Sequence, residues 1–189
     1  MFYEEGATYH IFNRSNENLF YTRENYLFFM RKIKANLLPL VDIIAYCLMP
    51  NHFHILATVK PEGTIVNGQM QKLSFAIGNL TSSYSKAINK QQNRKGVLFA
   101  HKTKAKMLNE AKNDYLLSCF MYIHQNPYLA KLVDKIEDWE FSSFRDYAGL
   151  RDGKLPNMEL GLEMVQISQN EIYDLTYTLM QDKDDEDFL

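Results

Sequence analysis

Residues 41–59 read VDIIAYCLMPNHFHILATV. Two runs rich in strand-forming residues, 41–48 and 52–59, flank Met49-Pro50-Asn51, which is a turn signal. The segment is predicted to fold as a β-hairpin. Upstream, TYHIFNR at 8–14 alternates like a further strand. Between it and the hairpin, Tyr26, Phe29, Met30 and Ile33 recur at three- and four-residue spacing, which predicts a helix over about 23–36 that Pro39 closes. Downstream, Leu73, Ile77, Leu80, Tyr84 and Ile88 form one stripe of a helix over about 72–89. A strand is expected near 97–108. The order βαββαβ specifies an α+β fold of ferredoxin-like (RRM-like) topology, a mainly antiparallel sheet with flanking helices.

Another helix is expected from about Asn113, with Leu116, Phe120 and Ile123 inward. It should stop near Asn126-Pro127, because proline disfavours helical geometry in the residue before it. From about Trp139 the pattern is less regular, and Trp139 itself reads as packing the tail onto the core. A last helix near 169–181 precedes the acidic stretch DKDDEDF, expected to be frayed or disordered. These features divide the chain into a domain over 1–150 and a helical extension with an acidic tail over 151–189.

The 189 residues are 46% hydrophobic and 13% aromatic, enough for a real core, which excludes a wholly disordered chain. Cys47 and Cys119 are the only cysteines, too few for a disulfide scaffold and suited to a reducing cytosol. No apolar run approaches the roughly 20 residues that span a bilayer. MFYEEGATYH carries acidic residues where a signal peptide carries basic ones. A cytoplasmic protein without a membrane partner is the expectation.

The net charge of -2 averages unlike parts. Residues 60–130 hold ten Lys and Arg against three Asp and Glu, and residues 131–189 hold six against fifteen. Within the middle part, Lys86, Lys90, Arg94, Lys95, Lys102, Lys104 and Lys106 occur with no acid between them. Such a run fits a nucleic-acid surface or a solvated helix face and loop equally well.

Two clusters could carry chemistry. In a strand, His52 and His54 project to one face while Phe53 enters the other. Two convergent imidazoles can hold a divalent cation if a third ligand arrives from elsewhere. Taken alone, the pair is better read as two unrelated histidines in a half-buried strand. In YIHQNP at 122–127, Tyr122 and Asn126 are four apart and share a helix face, away from the stripe of Leu116, Phe120 and Ile123. The amide oxygen could complete a metal site, and the phenol could attack a group bound there. Alone, this too is an ordinary half-buried tyrosine and a helix stop. His10, in the first strand, could approach the site or merely be half-buried, and the second reading is preferred; His101, His124 and Cys119 carry no assigned role.

YCLMPNHFHIL at 46–56 and YIHQNPYLAKLV at 122–133 resemble the two signature blocks of the single-tyrosine HUH transposases, the insertion-sequence-200-like group, and most closely its REP-associated tyrosine transposase branch. YHIFNRSNENLFYTRENYLFF at 9–29, GVLFAHKTKAKML at 96–108 and DWEFSSFRDY at 138–147 match in the same order. The likeness spans about 9–150, and the last 40 or so residues lie outside it. Five ordered blocks are far more specific than either motif alone.

The resemblance implies a HUH core with its catalytic tyrosine on a helix. It implies that Tyr122 attacks a DNA phosphate to leave a 5′-phosphotyrosine link and a free 3′-OH. It implies His52, His54 and Asn126 as ligands of Mg²⁺ or Mn²⁺. Single-stranded or hairpin DNA is the implied partner, and the chain a bacterial, nucleoid-associated monomer or homodimer. The basic run then becomes a phosphate-contacting surface, with Arg14 as a further candidate. The alternatives are a HUH replication-type nickase, a domesticated DNA- or RNA-binding regulator without turnover, and a metal-dependent phosphodiesterase in which Tyr122 only packs.

Overall fold

The computed structural model describes residues 2–108 and 113–179. In chain order the elements are β1 (Thr8–Arg14), α1 (Arg23–Asn36), β2 (Val41–Met49), β3 (His52–Val59), α2 (Pro61–Thr64), β4 (Val66–Asn67), β5 (Met70–Gln71) and α3 (Lys72–Gln91). Then come β6 (Lys104–Met107), α4 (Asn113–Leu129), a 3-10 turn (Ile136–Asp138), α5 (Phe144–Tyr147), α6 (Met158–Val165) and α7 (Gln169–Thr178). The main sheet has the order β2-β3-β1-β6, antiparallel throughout. β1 and β2, joined through α1, are split by β3, which is the ferredoxin-like arrangement. β4 and β5 form a separate two-stranded hairpin.

Strand alternation divides the core in two. Phe53, Ile55, Ala57 and Val59 of β3, with Tyr9 and Ile11 of β1, pack on α1 and α3. The expected stripes close this layer: Phe29 and Ile33 of α1, and Leu73, Leu80, Tyr84 and Ile88 of α3, are buried. Asn25 ties the two helices together. Its side-chain oxygen accepts from the backbone N–H of Tyr21 and Thr22 at the start of α1, and its amide nitrogen donates to Gln91 at the end of α3.

The opposite face, with Cys47 and Met49 of β2 and Leu56 of β3, packs on α4. A bulge in β2 between Ile43 and Ala45 turns both Ile44 and Ala45 into this second layer. α6 and α7 join the same layer through Val165 and Ile172. Gln125 of α4 donates to the carbonyls of Thr176 and Leu179, and His124 is hydrogen-bonded to Ser143. The chain after residue 130 thus walls the outer sides of α4, and every residue over 119–127 is buried. Trp139 is half-buried and donates its indole N–H to the Leu48 carbonyl, so it does pack this segment onto the core.

Three expectations are corrected. α4 does not stop at Asn126-Pro127 but continues to Leu129 with Pro127 inside it. A proline in the last turn removes one donor, and the packing around 119–126 holds the backbone helical. Leu132 N–H bonds back to the Pro127 carbonyl, and Lys131 turns the chain out at φ 58. The strand near 97–108 shrinks to Lys104–Met107. Before it, the chain is pinned to β1 by Ala100 N–H to the Arg14 carbonyl and by Asn13 to the His101 carbonyl and Thr103 hydroxyl, with no strand pairing. The last helix ends at Thr178, and the acidic stretch at the end of the chain lies outside the described residues. No helix among the described residues is long and apolar enough to cross a membrane.

One ion pair in the second half is buried. The Asp146 side chain is 0% exposed and receives both Nε (2.7 Å) and Nη2 (2.6 Å) of Arg151. Arg151 also donates to the Tyr46 hydroxyl and to the Glu140 and Ser142 carbonyls. Removing the guanidinium strands a carboxylate inside the protein. Arg151→Met is therefore expected to cost about 3–5 kcal/mol in urea unfolding, with partial recovery when Asp146→Asn is added. A cost under about 1 kcal/mol would show that the pair is not what holds this segment.

Candidate active site

The face of β3 that carries His52 and His54 is the face α4 covers. The two rings lie 5.0 Å apart between centroids and stand nearly perpendicular, at 87°. His52 begins the strand and is half-buried, whereas His54 is 1% exposed. Tyr122, on α4, sets its ring 5.6 Å from that of His54 and edge-on to it at 86°. Asn126, one turn later, lies within reach of both His52 and Tyr122. The structure therefore brings His52, His54, Tyr122 and Asn126 together. Tyr122 and Asn126 are each only 8% exposed, so their face is not the solvent side of the helix but a seam between helix and sheet.

The donor atoms suit a divalent cation. The Asn51 side-chain oxygen is 2.7 Å from His52 Nδ1. An amide oxygen only accepts, so Nδ1 carries the proton and Nε2 keeps its lone pair. His54 Nε2 is buried with no hydrogen-bond partner among the described residues, the condition of a nitrogen that lacks its ligand. Among the described residues, no group of three His, Cys, Asp or Glu side chains stands ready for a metal. Here the third donor would be the Asn126 amide oxygen, an oxygen ligand of the kind Mg²⁺ and Mn²⁺ accept.

Burial sets the charge states. The His52 pKa falls to about 4, chiefly from desolvation, with the Asn126 hydrogen bond opposing and the Arg14 charge adding. His54 falls well below its ordinary value by burial, reinforced by His10 and His52. Both rings are neutral at pH 7, the form that binds metal. Burial raises the Tyr122 pKa and its hydrogen bond to Asn126 pulls it back, so the phenol is protonated at neutral pH. Burial pushes up the Cys47 and Cys119 thiols, which leaves both unreactive.

The same desolvation makes the fold acid-sensitive. His10 and His124 drop to about 3, and with His52 and His54 they lie below the ordinary 6.5. As pH falls through 6.5 the unfolded chain takes up protons that the folded chain refuses. The stability these neutral rings contribute is present above about pH 6.5 and is lost progressively toward pH 4. Each independent ring contributes up to about 1.4 kcal/mol per pH unit in that window. Urea midpoints at pH 7.5, 6 and 5 are expected to decline in order, and a flat series would contradict burial of neutral histidines.

Of the two readings open for His10, approach to the site rather than half-burial is the one found. It is not half-buried but 0% exposed, and its Nε2 lies 2.9 Å from His54 Nδ1. His124, across α4 from the site, is hydrogen-bonded to Ser143, and His101 is exposed.

The basic residues separate. Arg14 is exposed and pairs in register with His52. Lys104 pairs with Phe12, which pairs in turn with His54, and Lys106 pairs with His10. These two lysines share the histidine face, with Lys104 Nζ 5.6 Å from the Phe12 ring centroid and Lys106 Nζ 5.1 Å from that of Tyr115. Lys86 and Lys90 are exposed on α3, on the other side of the sheet, and Lys95 and Lys102 are exposed in the loop that follows. Lys86 and Lys102 border a shallow depression with Thr81, Ser82 and Ser85. Arg94 is spoken for by Glu17 at 2.9 Å and by the Val97 carbonyl. The run is thus not one patch, because a β-strand and a helix on opposite layers carry its two ends.

A four-stranded antiparallel sheet of ferredoxin-like order, with histidines on one face and a tyrosine helix laid across them, is the class of architecture this chain defines. It has the fold of a REP-associated tyrosine transposase. The solved structure of that protein bound to a REP hairpin superposes with a TM-score of 0.59 at 17% identity, over 83% of this chain and 94% of the other. This is the branch that the five sequence blocks resemble. Bacterial tRNA(His) guanylyltransferase (Thg1)-like protein superposes more weakly. Its complexes with GTP and ATP each give a TM-score of 0.40 at 11% identity, over 67% of this chain and 66% and 60% of theirs. No protein-family model matches the sequence, and no curated protein matches it significantly.

Proposed function

We propose that this protein is a tyrosine transposase that cleaves and rejoins single-stranded, hairpin-flanked DNA by transesterification, with Tyr122 as nucleophile. The observation that carries the proposal is the convergence of the Tyr122 phenol, two neutral imidazoles and the Asn126 amide in one seam. His52, His54 and Asn126 would hold Mg²⁺ or Mn²⁺, which would supply charge to polarise the scissile phosphate.

In the first step the Tyr122 oxygen forms a bond to phosphorus and the bond from phosphorus to the 3′ oxygen breaks. The tyrosine proton is lost and the departing 3′ oxygen gains one, so no proton is consumed. A 5′-phosphotyrosine remains. In the second step a 3′-OH attacks that phosphorus, reforms the diester and returns the phenol. The phosphodiester energy is kept in the protein–DNA bond, so no nucleotide is hydrolysed. Asn126 holds the phenol near His52, and α4 fixes its approach.

Arg14, Lys104 and Lys106 border the histidine face, where they would contact the phosphates flanking the break. The exposed Lys86, Lys90, Lys95 and Lys102 would serve a more distant part of a hairpin, and Arg94 contributes by shaping the loop. Chemistry on DNA would fit a cytoplasmic protein associated with the nucleoid.

The test is incubation with Mn²⁺ and labelled single-stranded hairpin oligonucleotides, followed by a denaturing gel. A labelled protein band that resists denaturation is expected. Cleavage without that band would favour a phosphodiesterase, and binding without cleavage a regulator that has lost turnover. A band formed equally on unstructured strands would favour a replication-type nickase.

A further inference from the structure

The reaction proposed above makes no use of His10, yet its placement is hard to explain as packing. It sits on β1, 0% exposed, with its ring close and nearly parallel to those of Phe12 (centroids 4.8 Å apart, 28°) and His54 (5.0 Å, 19°). A leucine or valine would fill an apolar strand position without burying polar atoms. His10 instead buries two ring nitrogens. One of them, Nε2, is 2.9 Å from His54 Nδ1, and the other, Nδ1, has no hydrogen-bond partner among the described residues.

Two neutral imidazoles in nitrogen-to-nitrogen contact share one proton, so one ring donates and the other accepts. The direction decides what His54 shows to the site. If His10 donated, the His54 proton would sit on Nε2, and that nitrogen could not bind a cation. If His54 donates from Nδ1, its Nε2 presents a lone pair. We infer that His10 is a positioning residue: its Nε2 accepts the His54 Nδ1 proton, and so fixes the tautomer and ring plane in which His54 Nε2 faces the cation. Either direction leaves one buried proton without a partner, on His10 Nδ1 or on His54 Nε2, and only the first leaves the nitrogen that faces the site free for a cation. A buried donor left unpaired is a local fault that folding alone does not favour, and such faults are tolerated where function needs them. His52 has the matching arrangement, with Asn51 as the outer acceptor of its Nδ1 proton. Both histidines would then meet the cation through Nε2, each held from behind by a different group.

The inference rests on the metal reading of the site, and the experiment separates the two. Mn²⁺ alone is titrated into the full-length protein by calorimetry, without DNA, for the wild type, His52→Ala, His10→Leu and His10→Gln. Mn²⁺ affinity is expected to fall 10–100-fold in His10→Leu, the usual effect of losing such an outer partner. It is expected to return to within about threefold of wild type in His10→Gln, whose side-chain oxygen can accept the same proton. A folded His10→Leu that binds Mn²⁺ like wild type, while His52→Ala does not, overturns the role of His10 and leaves the metal site standing. A glutamine variant no better than leucine also overturns it, since packing loss would then explain both. Failure of the wild type to bind Mn²⁺ overturns the metal reading and this inference with it. If His10→Leu does not fold, ¹⁵N-histidine NMR of the metal-free wild type decides. A proton on His54 Nδ1 supports the role, and a proton on Nε2 ends it.

Discussion

Tyr122→Phe is expected to abolish the denaturation-resistant DNA adduct and to slow strand cleavage by about 10⁴-fold or more, because it deletes the nucleophilic oxygen itself. The variant is a clean one. The phenyl ring keeps its edge-on contact with His54 and its place in the seam, and the loss is one hydroxyl beside Asn126. That loss is worth about 1 kcal/mol of stability, so the fold should survive. Hairpin binding, which depends on charge and shape, should stay within about twofold if the phenol makes no net binding contribution. Adduct formation by Tyr122→Phe at more than a few per cent of wild type would move the nucleophile elsewhere.

Removal of divalent cations is expected to have the next largest effect. A phenol raised above its ordinary pKa by burial is a weak nucleophile at pH 7, and the electrostatic help has to come from the phosphate side. Lewis-acid polarisation contributes several kcal/mol, and about 4 kcal/mol corresponds to a factor near 10³. Chelation should therefore suppress adduct formation by about 10³-fold and Mn²⁺ or Mg²⁺ should restore it. His52→Ala should lower the rate comparably at limiting Mn²⁺ and recover in part at high Mn²⁺, because His54 and Asn126 remain. His52 is the residue to change because it is half-buried, so its truncation leaves a smaller hole than that of His54. Unchanged cleavage after chelation would remove the metal from the reaction.

The readable parts of the fold were those with a strong local period. The hairpin over 41–59, the stripe Leu73, Ile77, Leu80, Tyr84 and Ile88, and the α1 boundaries all emerge where the alternation or the helical spacing is clean. α4 was harder. Cys119 to Asn126 is buried on every side, so no polar face marks the direction of solvent, and the seam containing Tyr122 looked like an outer face. Pro127 stayed inside the helix for the same reason, since packing outweighs a local preference. Short elements such as α2, the β4–β5 hairpin and α5 carry too few residues for any period to register. In the site, spacing alone aligned His52 with His54 and Tyr122 with Asn126. It could not decide where His10 lies, because its meeting with His54 depends on the register of β1 against β3.

What the amino-acid sequence determined by itself is direction within an element. A strand period of two sends His52 and His54 the same way, and a helical offset of four stacks Tyr122 over Asn126. What the tertiary structure decided is which directions meet. α4 covers the histidine face and not the Phe53 face, Asn126 reaches both His52 and Tyr122, and Lys104 and Lys106 join the site while Lys86 and Lys90 lie across the sheet. The reason is physical. Side-chain direction along one element follows from covalent geometry and a handful of dihedral angles. Register and layering are chosen by burying apolar surface contributed by residues far apart in the chain, from Ile44 to Ile172, and no local segment contains that information.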